Sequence, residues 1–157
     1  MHTLRVEPLT CEAFAPFGAV LQLPQSPGRV YYNDALANLR AHAGPSLSLA
    51  RYAPSAGLPM QIHQMERHPY SSQTFIPIQV ARYLVLVAPH GASGRPDMAQ
   101  ARAFLVHGQQ GVTYFADTWH HGMTVFDDAA TFAICMWQAG DAGDETFADI
   151  DPVLLQE

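Results

Sequence analysis

The sequence predicts an all-β barrel or sandwich carrying one or two short helices. Three observations point there. Short runs rich in β-branched and aromatic residues recur along the 157 residues. Twelve prolines and eleven glycines punctuate them, at the roughly 8–12-residue spacing typical of strands joined by turns. Only short segments read as helical. In chain order, residues 3–6 form a first strand, and Cys11–Phe14 reads as a short helix. Residues 19–23 resume the strand pattern. Residues 34–43 read as a second helix, with Asp34 placed as its N-cap. Strands follow at 46–53, 60–68, 74–79 and 82–88. The last of these holds the longest apolar run, Tyr83-Leu-Val-Leu-Val-Ala-Pro89, which has strand length. One helical turn is expected at 97–101. Strands are then expected at 103–107, 112–115, 119–126 and 131–137. The tail from Gly140 is acidic and Gly-rich, and ends in Ile150-Asp-Pro-Val-Leu-Leu155. It reads either as a frayed terminus or as a segment docked on the barrel or on a partner.

Strand alternation assigns faces. Leu47, Leu49 and Arg51 share one side, expected inward. Met60, Ile62, Gln64, Glu66 and His68 share another. That side starts apolar and turns polar, as where a barrel interior opens into a pocket.

Composition narrows the function. One domain over residues 1–157 is expected from the length. The net charge is −6 with no basic cluster, so no nucleic-acid footprint is present. No apolar run approaches the roughly 18 residues of a membrane span, and no leader is visible. All eight basic residues are arginines, which excludes chemistry on a lysine. Two cysteines, Cys11 and Cys135, form no framework and suit a reducing compartment. No Walker loop or dinucleotide fingerprint occurs, so no organic cofactor is expected. Eight histidines supply candidates for acid–base or metal chemistry.

Two segments carry those candidates. In Glu66-Arg-His-Pro-Tyr-Ser-Ser-Gln73, Glu66 and His68 stand two apart on a strand and point the same way, and Gln73 opens the next strand. In Gly111-Val-Thr-Tyr-Phe-Ala-Asp-Thr-Trp-His120-His121, His120 is expected inward and His121 on the opposite side. The spacing resembles the two motifs of cupin jelly-roll barrels, with Glu66, His68, Gln73 and His120 at the positions that line the barrel. The fold expectation thereby sharpens to a cupin-like jelly-roll β-barrel. Two readings of the set stand open. Glu66, His68 and His120, with Gln73, can hold a divalent metal, nickel or another transition metal, with open positions. Alternatively, they form a metal-free polar pocket that hydrogen-bonds substrate. Arg51 is suited either to clamp a substrate carboxylate or to pair with Glu66. Trp119 and Asn33 are further candidates for substrate contact, Trp119 against a packing role.

The same segments resemble the ureidoglycolate lyase family. The likeness rests on Ile62-His63, Glu66-Arg-His-Pro69, Gln73-Thr-Phe-Ile-Pro77, Ala103-Phe104, Gly108-Gln-Gln-Gly-Val-Thr-Tyr114 and Trp119-His-His121. The opening Pro8-Leu-Thr and Ala13-Phe-Ala-Pro-Phe-Gly18 also fit. Departures are Met136-Trp137, where many bacterial members have Asp-Arg, and Asn33-Asp34-Ala35, where the family has Asn-Asn-Gly. The resemblance implies a cytoplasmic homodimer acting in allantoin (purine) catabolism. It implies a carbon–nitrogen lyase that cleaves (S)-ureidoglycolate to glyoxylate and urea. On that reading His68 or His120 is the general base, Glu66 the acid or orienting group, Arg51 the carboxylate ligand and Gln73 the ureido ligand. An amidohydrolase releasing ammonia, a non-enzymatic cupin binding a small organic acid and a metal-dependent oxygenase are the alternatives.

Overall fold

The computed structural model describes residues 2–157. Twelve strands account for most of them. They are β1 (His2–Pro8), β2 (Gly18–Gln22), β3 (Gly44–Tyr52), β4 (Met60–Arg67), β5 (Gln73–Gln79), β6 (Arg82–Ala88), β7 (Arg102–His107), β8 (Gln110–Tyr114), β9 (Trp119–His120), β10 (Thr124–Phe126), β11 (Ala130–Gln138) and β12 (Thr146–Gln156). One helical turn, α1 (Cys11–Phe14), is capped by the Thr10 side chain, which accepts the Ala13 N–H. Short 3-10 turns occupy Met98–Gln100 and Ala142–Asp144.

The strands form two sheets. One runs β10-β6-β7-β1-β12-β4-β9, and β9 pairs again with β6, so six of its strands close into a ring. The other runs β2-β8-β5-β11-β3. This all-β, cupin-like barrel matches the class expected. The apolar run of β6 has a direct explanation, since both its faces are covered. Tyr83, Val85 and Val87 pack between the sheets with Phe14, Phe75, Phe104, Val112 and Phe132. Leu84, Leu86 and Ala88 fill the ring with Ile62, Met65, Trp119, Val153 and Leu155. At about 25 cal/mol per Å2, burial of this apolar surface is the main driving force for closure.

Three expectations are corrected and one open alternative is decided. Residues 34–43 form no helix. Their backbone is engaged by the 68–72 turn instead: Ala37 N–H donates to Ser72 Oγ, Ser72 N–H to Ala37 O, and Leu39 N–H to Tyr70 O. Residues 119–126 split into β9 and β10, because the chain leaves the ladder after His120. The tail takes the docked alternative, on the barrel itself, and is not frayed. It is β12, parallel to β1 and antiparallel to β4. On β4 the alternation breaks, since the register to β12 jumps between Gln64↔Asp149 and Ile62↔Val153. Ile62 and Met65 therefore both enter the ring, and Glu66 points the other way, off the face expected to start with Met60 and Ile62.

Candidate active site

The strands bring the two distant segments together. Glu66 on β4 lies directly opposite His120 on β9, and His68 follows at the end of β4. One ligand atom from each of Glu66, His68 and His120 lies within 4.8 Å of the others. His120 Nε2 stands 3.3 Å from Glu66 Oε1. The His68 and His120 rings are 5.4 Å apart. His120 is 1% exposed, and its ring stacks on Tyr114 at 4.2 Å. Burial, reinforced by the Glu66 charge, pushes the Tyr114 phenol far up, so the platform stays neutral.

Each imidazole is held from behind. His68 Nδ1 lies 2.9 Å from the Asp144 carbonyl, and His120 Nδ1 lies 2.9 Å from the Thr118 carbonyl. A carbonyl only accepts, so both rings carry their proton on Nδ1 and turn a bare Nε2 to the centre. Both Nε2 atoms are buried without a hydrogen-bond partner. That is the arrangement of metal-ligating histidines, whose other nitrogen is fixed by a carbonyl. Burial, reinforced by His120, holds His68 below its ordinary pKa. For Glu66, burial works upward, but contacts with His120, His68 and Glu145 outweigh it and hold the carboxyl low. Glu145 is its counterpart, raised by burial and by Glu66 itself.

Gln73 joins the group. Its side chain lies against His68, its Nε2 donates to Met136 Sδ at 3.8 Å, and its Oε1 is buried and unpartnered. Glu66, His68, Gln73 and His120 are therefore assembled as the spacing expected.

Three other candidates are not. Arg51 sits exposed on the outer face of β3 and donates to Thr131 Oγ1 at 3.2 Å. Leu47 and Leu49 share that face, 75% and 71% exposed. The inward side of β3 is the opposite one: Ser46, Ser48 and Ala50 pair with Met136, Ile134 and Phe132 and share their face. Trp119 points into the ring, away from His120, and its indole N–H donates to Gly94 O at 3.1 Å. Packing is its role. Asn33 is exposed in the loop before β3, where its carbonyl accepts the Leu36 N–H.

The inward face of β3 carries small side chains, and Ser46 on it pairs with Met136, which Gln73 contacts. Ser48 faces between the sheets yet is exposed, and Tyr52 at the end of that face feels the Glu66 charge. Small side chains there leave room where bulky ones would fill the core. The wider surface clefts lie elsewhere, along Gln61, Arg95 and Asp151 or beside Pro16, His90 and Phe115, and neither includes the triad. A deep polar group counts for more here than a broad cleft, because the chemistry needs convergent basic atoms.

Several site residues escape sequence reasoning. Glu145 and Asp144 lie outside the two motifs, and Tyr114 lies inside the second without being singled out as a candidate. Asp144 anchors the turn that orients His68: its carboxylate accepts the Ala139 and Gly140 N–H groups at 2.8 and 2.7 Å and also holds Arg40. The Asp141-Ala-Gly-Asp144 pattern signals that turn, but nothing local ties it to His68. His121 is also close. Its Nδ1 contacts Gln64 O at 3.2 Å, and burial lowers its pKa while Gln64 and Glu66 oppose.

Comparison with known proteins identifies the family of the chain. Residues 1–157 match the model of the family described as ureidoglycolate lyase. The ureidoglycolate lyase of Burkholderia cepacia is 44% identical over 141 residues, covering 83% of this chain and 77% of that one. That of Azotobacter vinelandii (strain DJ) is 37% identical over 167 residues, covering 99% and 98%. That of Brucella melitensis biotype 2 is 37% identical over 142 residues, covering 85% and 82%. A dTDP sugar isomerase from Desulfovibrio desulfuricans G20 superposes with a TM-score of 0.48 at 16% identity, covering 84% of this chain and 82% of that one. With a whole-length family match and relatives at 37–44% identity, the protein belongs to the ureidoglycolate lyase family.

Proposed function

We propose that the protein is a ureidoglycolate lyase, splitting (S)-ureidoglycolate into glyoxylate and urea in allantoin catabolism. The observation that carries the reading is the pair of buried, bare Nε2 atoms of His68 and His120 beside Glu66. Ureidoglycolate is a hemiaminal, whose C2 bears hydroxyl, carboxylate and the urea nitrogen. Its cleavage needs one proton removed from oxygen and one delivered to nitrogen. His68, kept neutral by burial, takes the hydroxyl proton on Nε2. The electron pair left on the hydroxyl oxygen closes the carbonyl, and the C–N bond breaks towards nitrogen. His120, taking a proton onto its bare Nε2 against the Glu66 carboxylate, passes it to the departing urea nitrogen. The proton on His68 then returns to that pair. Gln73 Oε1, an unpartnered acceptor, receives a ureido N–H. Arginine is absent from the immediate group among the described residues, so the substrate carboxylate meets backbone, solvent at the β3 edge, or a residue of a second copy.

Glu66, His68 and His120, with Gln73 as a fourth donor, fit a transition metal such as nickel, because their donor atoms converge and the far side of each imidazole is fixed. Such an ion, when bound, supplies a Lewis acid for the hydroxyl and carboxylate oxygens.

The deciding experiment supplies ureidoglycolate and measures urea, ammonia and glyoxylate, before and after chelation. Urea and glyoxylate in equal amounts support the lyase. Ammonia in place of urea means an amidohydrolase, and no turnover means a binding protein. Loss of turnover on chelation, restored by metal, assigns the ion. We further propose a homodimer, supported by the exposed Leu47 and Leu49 on edge strand β3. A cytoplasmic location is supported by the unpaired Cys11 and Cys135. No helix among the described residues is long and apolar enough to cross a membrane.

A further inference from the structure

Behind the triad, on the ring side, lies a second polar group that the proposed chemistry does not use. Its centre is Asp117, whose backbone is left-handed at φ 68°. A non-glycine residue there persists only when its surroundings hold it. Two cations do so. Arg67, the residue between Glu66 and His68, pairs through Nη1 with Asp117 Oδ1. His90, on the turn after β6, places Nε2 at 2.7 Å from the Asp117 carbonyl and 3.2 Å from Oδ2. The other ring nitrogen of His90 lies 3.1 Å from Gly94 O, the same carbonyl that accepts the Trp119 indole N–H. The Arg67 guanidinium lies 4.9 Å over the Trp119 ring. Thus His90, Arg67 and Trp119 fix one short segment, residues 117–119, from three sides.

That segment touches both histidines of the triad. Asp117 N–H donates to His68 O at 2.9 Å, and Thr118 O is the acceptor that sets the His120 tautomer. We propose that Arg67 and His90 are positioning residues: their clamp on Asp117 holds the 117–119 backbone so that His120 keeps its proton on Nδ1 and turns a bare Nε2 to the centre. Neither clamp side chain is among the groups that face the reacting atoms. Their influence runs through Thr118 O. A displaced carbonyl frees Nδ1 and lets the proton settle on Nε2 of a neutral ring, a far weaker acid than the imidazolium formed when a bare Nε2 takes up a proton, and one that cannot ligate a metal through Nε2.

The test needs no substrate. Nitrogen-15 signals of the imidazole rings report the tautomer directly. In the native protein His120 should show the Nδ1–H form. In His90→Gln and in Asp117→Asn, a substitution that tolerates the left-handed backbone, an Nε2–H population should appear at His120. Nickel affinity, read by calorimetry without substrate, should fall about 10–100-fold. If ureidoglycolate is turned over, kcat should fall by a similar factor with KM within about twofold. Arg67→Lys, which keeps the charge on Asp117, should restore most of the native tautomer signal relative to Arg67→Ala. Folded variants whose His120 tautomer and nickel affinity match the native protein would overturn the proposal, whether or not the lyase reading stands. Failure of the native protein to cleave ureidoglycolate would overturn that reading and leave the tautomer test intact.

Discussion

Replacing Glu66 by Gln probes the electrostatics of the site with almost no change of shape. Glu66 Oε1 stands 3.3 Å from His120 Nε2. At that distance, with an effective dielectric of about 20, a carboxylate stabilises a unit positive charge developing in the transition state by about 5 kcal/mol. The Glu66 side chain is 18% exposed, so solvent screens part of this, and the amide oxygen of Gln retains some attraction. A net loss of about 3–4 kcal/mol remains, equivalent to a fall in kcat of about 10²–10³-fold. The assay is steady-state release of glyoxylate from ureidoglycolate, with KM expected within about threefold because the volume is conserved. A kcat within threefold of the native value, in a variant with native stability, would refute this view of the Glu66–His120 pair.

Further outcomes follow from the same geometry. Burial holds His68 and His121 below their ordinary pKa of about 6.5 in the folded chain. The unfolded chain then binds more protons just below that pH, so stability is full above it and is lost as pH falls. The urea midpoint should be lower at pH 5 than at pH 7.5, and the gap should narrow in His68→Gln. Equal midpoints would contradict the burial of these rings. Charge placed on the exposed face of β3, as in Leu47→Asp with Leu49→Asp, should convert a dimer to monomers by light scattering. An unchanged mass would put the interface elsewhere. Ser48→Phe narrows the inward face of β3 and should raise KM about tenfold, the equivalent of one lost contact of about 1.4 kcal/mol. An unchanged KM would mean that substrate enters by another route.

Much of the fold was legible because local pattern and tertiary role coincide. Residues 82–88 read as a buried strand and are one, covered on both faces. The helical turn at Cys11–Phe14 is likewise where its Thr10 cap sets it. Misreadings arose where long-range partners decide. Nothing local marks Thr146–Gln156 as a strand, since its partners β1 and β4 lie about 80 to 150 residues away. Residues 34–43 have helical composition, but the 68–72 turn claims their backbone. On β3 the alternation was visible and its sense was not. Leu47 and Leu49 look like core residues, yet serines face the interior, because apolarity alone does not separate a core from a docking face. Glu66, His68, Gln73 and His120 were legible because motif spacing preserves a constellation across the fold. Arg51 was misplaced with the β3 leucines. Glu145, Tyr114 and Asp144 required the strand register, which places them around the histidines.

The central claim is that substrate chemistry occurs where residues 66–73 meet residue 120. A crystal structure with the product glyoxylate bound addresses it most directly. Glyoxylate should lie within hydrogen-bonding or shared-metal distance of His68, His120 and Glu66, with Gln73 beside it. Glyoxylate seated instead in the Arg95–Asp151 cleft or against the exposed Arg51, with the two histidines untouched, would contradict it.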